Sequence, residues 1–414
     1  MDEIRSHIEE VARKAAEASG RLRVLTDDAV DEALREAASR LEHERDAIIA
    51  ANAADVAAGQ GTLSPAVLDR LRLAPARIEN ISSQLRSLAE LPAVDPLISR
   101  DHAGGVIVEV RRIPVGTIGA NFEARANVAV DVASQLIKSR NAGVLRTGSA
   151  ALRTSSTMID RAIGPSLEAV GASAEAVGIV RVPAREAASA LVSLPHLLPL
   201  VILRGSGETT ARLGREAAAH GVRTLAHAEG GGVLYVHSSG EERLALDLIE
   251  RSLDRLGVCN RLNLLLIDRD RWDALSAAAT ERLTALGINS SLPPHEHPIG
   301  HEWATDDEHA GTVTLAPVEG VSEAADLANR ETSGLAASIV ASDPRAAAEF
   351  IESYTGTGVF WNETTRLLDG YRLFHAPETG INIDRVPGPR GPVTYRDLHL
   401  RQVVVKPVGA DPGR

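Results

Sequence analysis

The only cysteine of the chain, Cys259, is the residue best suited to covalent chemistry. It follows a Gly-Val step and precedes the apolar run 262–267, which places it on a turn just before a buried strand. A lone thiol cannot form an intramolecular disulfide, and one cysteine alone cannot build a structural zinc site. Two interpretations remain, a thiol buried in the core or a nucleophile that forms a covalent intermediate.

Asn127 is the second residue with a chemical interpretation. It ends the polar segment 121–127, which also carries Glu123 and Arg125 and lies between an apolar strand and an apolar helix. Asn127 either caps the helix that begins at Val128, or donates its side-chain amide into a cleft. In a cleft, that amide could hold a developing oxyanion.

Two turns have the pattern strand, glycine turn, helix. The first contains Arg146, Gly148 and Ser149, and the second contains Gly205 and Ser206 directly after Arg204. Free N–H groups at a helix start, with an arginine at the strand end, suit a nucleotide phosphate or ribose. An ordinary βα turn with Ser149 as N-cap is the alternative for the first turn. Two such turns in one domain favour a dinucleotide site.

Three other features have weaker chemical interpretations. Glu229 precedes the glycines 230–232 and is either a general base or a solvated loop acid. His295 and His297 share a proline-rich loop, but the thirteen histidines show no metal-ligand spacing, and no metal site is predicted. No G-x-S-x-G elbow supports a Ser-His-Asp triad.

The first hundred residues show the spacing of helices, one of them capped by Thr26 or Asp27. Strands and helices then alternate, which predicts parallel sheets covered by helices. The predicted strands are 106–113, 143–146, 177–182, 200–203, 233–237, 262–267, 312–317, 337–341, 358–361 and 394–405. The predicted helices of this part are 128–137, 150–163, 209–219, 272–286, 322–329 and 346–354.

Composition limits the classes of protein to consider. The 414 residues suffice for two or three domains, and 44% of them are apolar. A net charge of -12 argues against binding to nucleic acid and to anionic membranes. No apolar run approaches the roughly 18 residues of a membrane-spanning helix, and the charged start lacks a signal-peptide core. A cytoplasmic protein with a reduced thiol is expected.

Taken together, these segments resemble the gamma-glutamyl phosphate reductase family of the aldehyde dehydrogenase superfamily, nearly from end to end. The strongest block runs from Arg112-Ile113-Pro114-Val115-Gly116 through Glu123-Ala124-Arg125-Ala126-Asn127-Val128 to Lys138-Ser139-Arg140-Asn141-Ala142. Further matches are Arg146-x-Gly148-Ser149, Arg204-Gly205, Val258-Cys259-Asn260, Thr365-Arg366 with Asp369-Gly370, and Glu378-x-Gly380-Ile381.

The resemblance implies reduction of an acyl phosphate, gamma-glutamyl phosphate, to an aldehyde with NADPH, with NAD as the other candidate cofactor. It makes Cys259 the nucleophile and Asn127 the oxyanion donor. It places a set of residues along the cofactor, namely Arg146, Gly148, Ser149, Gly205, Ser206 and Glu378. It suggests another set near the substrate, namely Glu123, Arg125, Arg255 and Arg366.

The resemblance also implies an α/β fold of the aldehyde dehydrogenase type, with two α/β domains and a small β arm for oligomerisation. Residues 1–105 and 128–240 would form the cofactor-binding domain, and residues 241–384 the catalytic domain. Residues 106–127 and 385–414 would form the arm of a homodimer or homotetramer.

The chain departs from the family around the substrate end. The family's C-N-x-x-E-T continues here as Arg261-Leu262-Asn263-Leu264, and its H-T-D is Leu335-Ala336-Ala337. Three alternatives therefore stand beside the main prediction. They are a reductase for another acyl phosphate, a hydrolytic aldehyde dehydrogenase with Glu229 as base, and a catalytically silent scaffold.

Overall fold

The computed structural model describes residues 2–63, 67–68, 71–123, 125, 127–205, 207–227, 230–306, 309–385 and 388–408. The chain forms two compact units. The first unit comprises Met1–Ala226, His375–Gly380 and Val393–Arg414, and the second comprises His227–Phe374 and Ile381–Pro392. The domain boundaries predicted from the sequence stay a prediction, and these units divide the chain after residue 226 instead of residue 240.

The first unit begins with long amphipathic helices and continues as alternating strands and helices. Its helices are α1 (Asp2–Arg23), α2 (Asp27–His43), α3 (Arg45–Gly59), α4 (Pro75–Glu90), α5 (Val128–Lys138), α6 (Leu152–Met158), α7 (Gly164–Ala169), α8 (Glu186–Leu191) and α9 (Gly207–Ala219). Its strands are β1 (Leu97–Ala103), β2 (Val106–Pro114), β3 (Thr117–Phe122), β4 (Ala142–Thr147), β5 (Val177–Ile179), β6 (Leu200–Arg204) and β7 (Arg223–His227).

Five of these strands form a sheet in the order β5-β4-β3-β6-β7. Strand β3 pairs in parallel with β4 and β6, and every residue of β3 and β4 is buried. Continuous apolar runs such as these are typical of strands that helices cover on both faces. The predicted cofactor residues Arg146, Gly148 and Ser149 lie at the carboxyl end of β4, and Gly205 lies at that of β6.

The second unit is an α/β layer of its own. Its helices are α10 (Glu242–Arg251), α11 (Trp272–Ala285), α12 (Val321–Glu331), α13 (Pro344–Ser353) and α14 (Gly370–Phe374). Its strands β8 (Gly232–Val236), β9 (Leu262–Asp268), β10 (Asn289–Ser291), β11 (Thr312–Val318), β12 (Ala336–Val340) and β13 (Gly358–Trp361) form a sheet in the order β10-β11-β9-β8-β12-β13. All described pairings in this sheet are parallel.

The chain ends in the strands β14 (Gly380–Asn382), β15 (Gly391–Val393) and β16 (His399–Pro407). Strand β16 pairs antiparallel with β2, which pairs antiparallel with β1, so that a separate three-stranded sheet results. We call β1, β2 and β16 the arm. Together with the two parallel sheets, the arm confirms the predicted α/β class.

Three predicted elements differ clearly from the structure. The strand expected over 177–182 already ends at Ile179. The strand expected over 394–405 begins only at His399, because Thr394 and Asp397 form a capping box around the short 3-10 turn Tyr395–Asp397. The helix expected over 150–163 contains the π-helical turn Ile159–Ile163 and continues to Ala169. The cap predicted at Thr26 is confirmed, since its side chain accepts from the backbone N–H of Ala29.

The C-terminal segment completes the core of the first unit. Tyr395 and Leu398 are fully buried in the same apolar cluster as α2, α4 and α5. The backbone N–H of Tyr395 donates to the side-chain oxygen of Gln135 at 2.7 Å, and Asn141 donates to the carbonyl of Leu398 at 2.9 Å. Of the helices that the structure describes, none is both long enough and apolar enough to cross a lipid bilayer.

Candidate active site

Cys259 lies on a turn three residues before β9, as the sequence predicts. It is half-buried and packs against a small apolar cluster of Leu335, Ala336, Leu368 and Ile381. A half-buried thiol beside an apolar cluster remains accessible to a substrate carbon. This position is compatible with both interpretations of the thiol.

The glycines 230–232 run directly beside the segment that carries the thiol. The backbone N–H of Gly231 donates to the carbonyl of Cys259 at 2.6 Å, and that of Gly232 donates to the carbonyl of Arg261 at 2.7 Å. A Cβ atom at Gly230 would lie 2.6 Å from the Cα of Cys259, a distance that real side chains do not reach. The absence of side chains at these glycines therefore lets the two backbone segments approach closely.

A buried network fixes the other side of this turn. Arg366 donates from Nε to Asp254 at 2.7 Å, and it also donates to the side-chain oxygen of Asn260. Thr365 donates to the backbone carbonyl of Asn260 at 2.9 Å. Arg366 is thus engaged within the second unit, next to the thiol, whereas Arg255 is exposed. Their predicted roles toward substrate stay predictions.

Asn127 occupies the position before α5, but its side chain makes no capping hydrogen bond. The capping interpretation is therefore wrong. Instead, the amide nitrogen of Asn127 donates to Oδ2 of Asp131 at 2.7 Å, and its oxygen accepts from Arg77 at 3.3 Å. Neither Asp131 nor Arg77 was singled out from the sequence.

Asp131 has an unusual environment for a carboxyl group. The residue as a whole is only half-buried, but protein atoms surround its carboxyl. The resulting desolvation raises the pKa of Asp131 to about 6, although Arg204, the hydrogen bond from Asn127, and Arg77 act in the opposite direction. The carboxyl therefore titrates near neutral pH.

Four of the predicted cofactor residues line one cavity of about 780 Å³ in the first unit. The structure brings Arg146, Gly148, Ser149, Gly205 and Glu123 together in its lining. Arg204, the arginine that precedes the second glycine turn, also lines it. Its lining further includes Arg185, Glu186 and Arg212, which sequence reasoning did not select. Ser149 opens a 3-10 turn after Gly148 and does not cap it, so its capping interpretation is wrong.

Arg146 reaches into this cavity from the end of β4. It donates to the side chain of Asn121 at 3.1 Å and to the backbone carbonyl of Ala184 at 3.0 Å. Within the described residues, its buried Nε has no hydrogen-bond partner, and burial lowers the pKa of its guanidinium. An acceptor from a bound molecule would satisfy this donor.

The cavity fits a nicotinamide dinucleotide. Four arginines line it, Arg146, Arg185, Arg204 and Arg212, against the three glutamates Glu123, Glu186 and Glu208. Helix α9 begins at its wall, where backbone N–H groups and the helix dipole favour a phosphate. The volume, the surplus of positive charge and the orphaned donor all match a phosphate-bearing ligand.

The remaining predicted residues lie as follows. Glu123 and Arg125 form an ion pair at 3.3 Å. Glu378 is half-buried elsewhere in the first unit, next to Thr379, whose backbone N–H donates to the carbonyl of Val393 at 2.8 Å. Ser206 and Glu229 lie outside the described residues.

The rings of His295 and His297 lie near each other, with centroids 5.3 Å apart and planes tilted by 44°. Nε2 of His297 lies 2.6 Å from the hydroxyl of Ser291. In the part of the chain that the structure describes, no group of three or more His, Cys, Asp or Glu side chains is arranged to hold a metal ion.

Comparison with known proteins agrees with these features. The model of the aldehyde dehydrogenase family matches residues 2–300. The gamma-glutamyl phosphate reductase of Gluconobacter oxydans is 33% identical over 96% of this chain and 93% of its own, and that of Caulobacter is 32% identical over 97% and 96%. The crystal structure of the gamma-glutamyl phosphate reductase of Thermotoga maritima matches with a TM-score of 0.89 and 26% identity, over 99% of this chain and 100% of its own.

Proposed function

Because the chain belongs to the gamma-glutamyl phosphate reductases of the aldehyde dehydrogenase family, we propose that it reduces gamma-glutamyl phosphate to glutamate 5-semialdehyde with NADPH. Membership of this family makes the protein an NAD(P)-dependent oxidoreductase that acts on an aldehyde or acyl phosphate. The reaction belongs to proline biosynthesis. The placement of the only thiol, on a turn held by the glycine run, is the observation that carries the proposal.

Cys259 is the proposed nucleophile. Its thiolate attacks the acyl carbon, a carbon–sulfur bond forms, and the bond to the phosphate oxygen breaks with release of inorganic phosphate. Sulfur suits both halves of the reaction, because it is strongly nucleophilic and the resulting thioester remains electrophilic. When bound, the nicotinamide supplies the hydride that reduces this thioester. Breaking the carbon–sulfur bond then releases the aldehyde and restores the thiolate.

Asn127 is the proposed side-chain donor to the oxyanion of this reaction. The amide of Asn127 has two N–H groups, and only one of them is needed for the bond to Asp131. The other remains for a carbonyl oxygen that gains charge during the reaction. Loss of one such donor costs about 10²–10³ in rate.

The cavity of the first unit is the proposed NADPH site. Arg146 would donate its free Nε to the cofactor, and the start of α9 would hold a phosphate. The exposed Arg185 and the neighbouring Arg212 are the residues proposed to select the 2′-phosphate of NADPH over NADH.

The arm is proposed to join copies of the chain into a homodimer or homotetramer. Val403 and Val405 on β16 are each 60% exposed and pair with Val110 and Val108 on β2, so one face of the arm is apolar. Val403→Asp should shift the mass measured by light scattering toward the monomer. Gln402→Asp, on the opposite face, should leave the mass unchanged. An unchanged mass for Val403→Asp would reject this surface.

The enzyme assay that tests the proposal runs in the oxidative direction, with glutamate 5-semialdehyde and NADP, with and without inorganic phosphate. We expect reduction of NADP only when phosphate is present. Activity without phosphate would favour the hydrolytic alternative, and activity with phosphate on a different semialdehyde would favour a reductase for another acyl phosphate.

Cys259→Ser tests the covalent step in the same assay. It should abolish turnover while NADPH binding, measured by fluorescence, stays intact. Substantial residual turnover would reject the thioester route.

A further inference from the structure

Two charged side chains form hydrogen bonds to opposite ends of the Asn127 amide. Asp131 lies one helical turn after Asn127 on α5 and accepts its N–H at 2.7 Å. Arg77, near the start of α4, donates to its oxygen at 3.3 Å. The two partners come from different helices, and in the described residues the side chain of Asn127 does not cap its own helix.

The chemistry of these partners fixes which way the amide points. An ionised carboxylate only accepts hydrogen bonds, and a guanidinium only donates them. A flipped amide would turn its oxygen toward Asp131 and its N–H₂ group toward Arg77, so both contacts would become repulsive. The orientation with nitrogen at Asp131 and oxygen at Arg77 is therefore the only one that both charges accept.

We propose that Asp131 and Arg77 are positioning residues that lock the Asn127 amide in one orientation, so that its second N–H is aimed at the oxyanion. This inference rests on the proposed function, since it assumes that Asn127 is the oxyanion donor. Neither residue touches the reacting atoms in this scheme. Both act through Asn127.

The protonation state of Asp131 determines how firmly the Asn127 amide is held in this orientation. Once protonated, the carboxyl carries a donor as well as an acceptor, and it no longer discriminates between the two ends of the amide. The charged groups that act on it are Arg204 at the end of β6 and Arg77 on α4, and both favour the ionised form. Because the pKa of Asp131 is raised to about 6, the preference of the Asn127 amide for this orientation weakens as the pH falls below that value.

Asp131→Asn tests the proposal. An asparagine can face Asn127 with either its oxygen or its nitrogen, so we expect kcat to fall by about 10- to 100-fold while KM changes less than about threefold. Asp273→Asn is the matched control, an exposed acid in the first turn of α11, and it should leave both constants unchanged. A change in KM with an unchanged kcat would overturn the proposal.

The pH profile provides a readout that a structural role would not move. The ratio of kcat between the native protein and Asp131→Asn should be constant above about pH 7 and fall toward one below about pH 6. A ratio independent of pH from 5 to 8 would contradict the proposal that ionised Asp131 orients the Asn127 amide.

A double-mutant cycle separates this inference from the proposed function. If Asp131 acts through Asn127, adding Asp131→Asn to Asn127→Ala should lower kcat by less than about threefold further. An equal loss in both backgrounds would overturn the positioning role alone. Native kcat in Asn127→Ala would instead overturn both claims, that Asn127 donates to the oxyanion and that Asp131 positions its amide.

Arg77→Gln gives a second test if Asp131→Asn folds poorly. Glutamine can donate or accept, so the amide of Asn127 loses its second fixed partner and kcat should again fall by about 10-fold or more. Arg86→Gln is its control on the same helix, because Arg86 pairs with Glu42 at the surface. Native kcat in folded Arg77→Gln would reject the role of Arg77.

Discussion

The guanidinium of Arg366 donates to the side chain of Asn260, the residue that follows Cys259 in the chain. Its Nε also donates to Asp254, so one buried cation ties the segments before and after the thiol. The Asn260 amide in turn donates to the carbonyl of Leu368 at 3.0 Å. Arg366 therefore determines where the backbone of the nucleophile lies.

Arg366→Ala should destabilise the protein and slow the reaction. It leaves the Asn260 oxygen without its charged donor, which costs about 1–3 kcal/mol of the free energy of unfolding. We expect kcat to fall by at least about 10-fold as the turn loses its fixed position. Thermal unfolding and the rate of alkylation of Cys259 by iodoacetamide measure the two effects. Arg330→Ala is the control in the same unit, because Arg330 is exposed and pairs with Glu331 at the surface, and it should have little effect on either.

Gly230→Ala should displace the thiol. The added methyl would meet the Cα, Cβ and carbonyl oxygen of Cys259 at 2.5 to 2.7 Å. Since the Cα and the carbonyl oxygen are backbone atoms, the whole turn must shift, and kcat should drop by about 100-fold or more. Gly214→Ala on α9 is the control, because nothing lies within 4 Å of its Cβ position. In that helix the exchange should stabilise by about 0.5–1 kcal/mol. Native kcat in Gly230→Ala would show that the close approach is not needed.

Arg185→Ala should reduce discrimination between the two nicotinamide cofactors. A charge-assisted bond to phosphate contributes about 1.5–3 kcal/mol, so we expect the KM for NADPH to rise by about 10-fold or more. The KM for NADH should stay the same, because NADH lacks the 2′-phosphate. Arg153→Ala, an exposed arginine on α6 away from the cavity lining, is the control. An equal rise for both cofactors would place Arg185 elsewhere along the dinucleotide.

Glu109 makes the stability of the arm depend on pH. Its side chain has no solvent exposure, since Lys406 at 3.1 Å, Arg100 at 2.7 Å and Arg111 cover its carboxylate. The hydrogen bond from Lys406, followed by those from Arg100 and Arg111, lowers the pKa of Glu109 to about 2. A lowered pKa means that this stabilisation is complete above about pH 4.5 and is lost as the pH falls toward 2.

Glu109→Gln should therefore lower the Tm at pH 7, and its difference from the native protein should shrink between pH 4.5 and 2. Asp101→Asn, an exposed acid on the same sheet, is the control and should show no such difference. Calorimetry across this pH range measures both. A difference that stays constant down to pH 2.5 would rule out the carboxylate of Glu109 as its source.

The central strands of both parallel sheets could be predicted because they are continuous apolar runs. Strands β4, β8 and β9 all lie within a residue or two of their expected positions. Strand β1 could not be predicted, because most of its residues are exposed and polar. Its pairing with β2 creates the strand, and a partner of that kind is invisible in a local pattern.

The candidate site was predictable to a similar degree. The type and the neighbours of Cys259 were enough to place it on a turn before a strand. Asp131 left a usable signal, since it follows Asn127 by four residues on a predicted helix and must share its face. No local pattern links Arg77 to Asn127, because Arg77 lies 50 residues earlier and only the packing of α4 brings the two together.

The return of the C-terminal segment to the first unit has a consequence for biosynthesis. Tyr395 and Leu398 are buried in the core of the first unit, in the same apolar cluster as α5. They are translated long after the residues up to 226 of that unit. Part of the hydrophobic surface of residues 1–226 therefore stays exposed until the second unit has been translated. The first unit can therefore complete its core only after Tyr395 and Leu398 have left the exit tunnel.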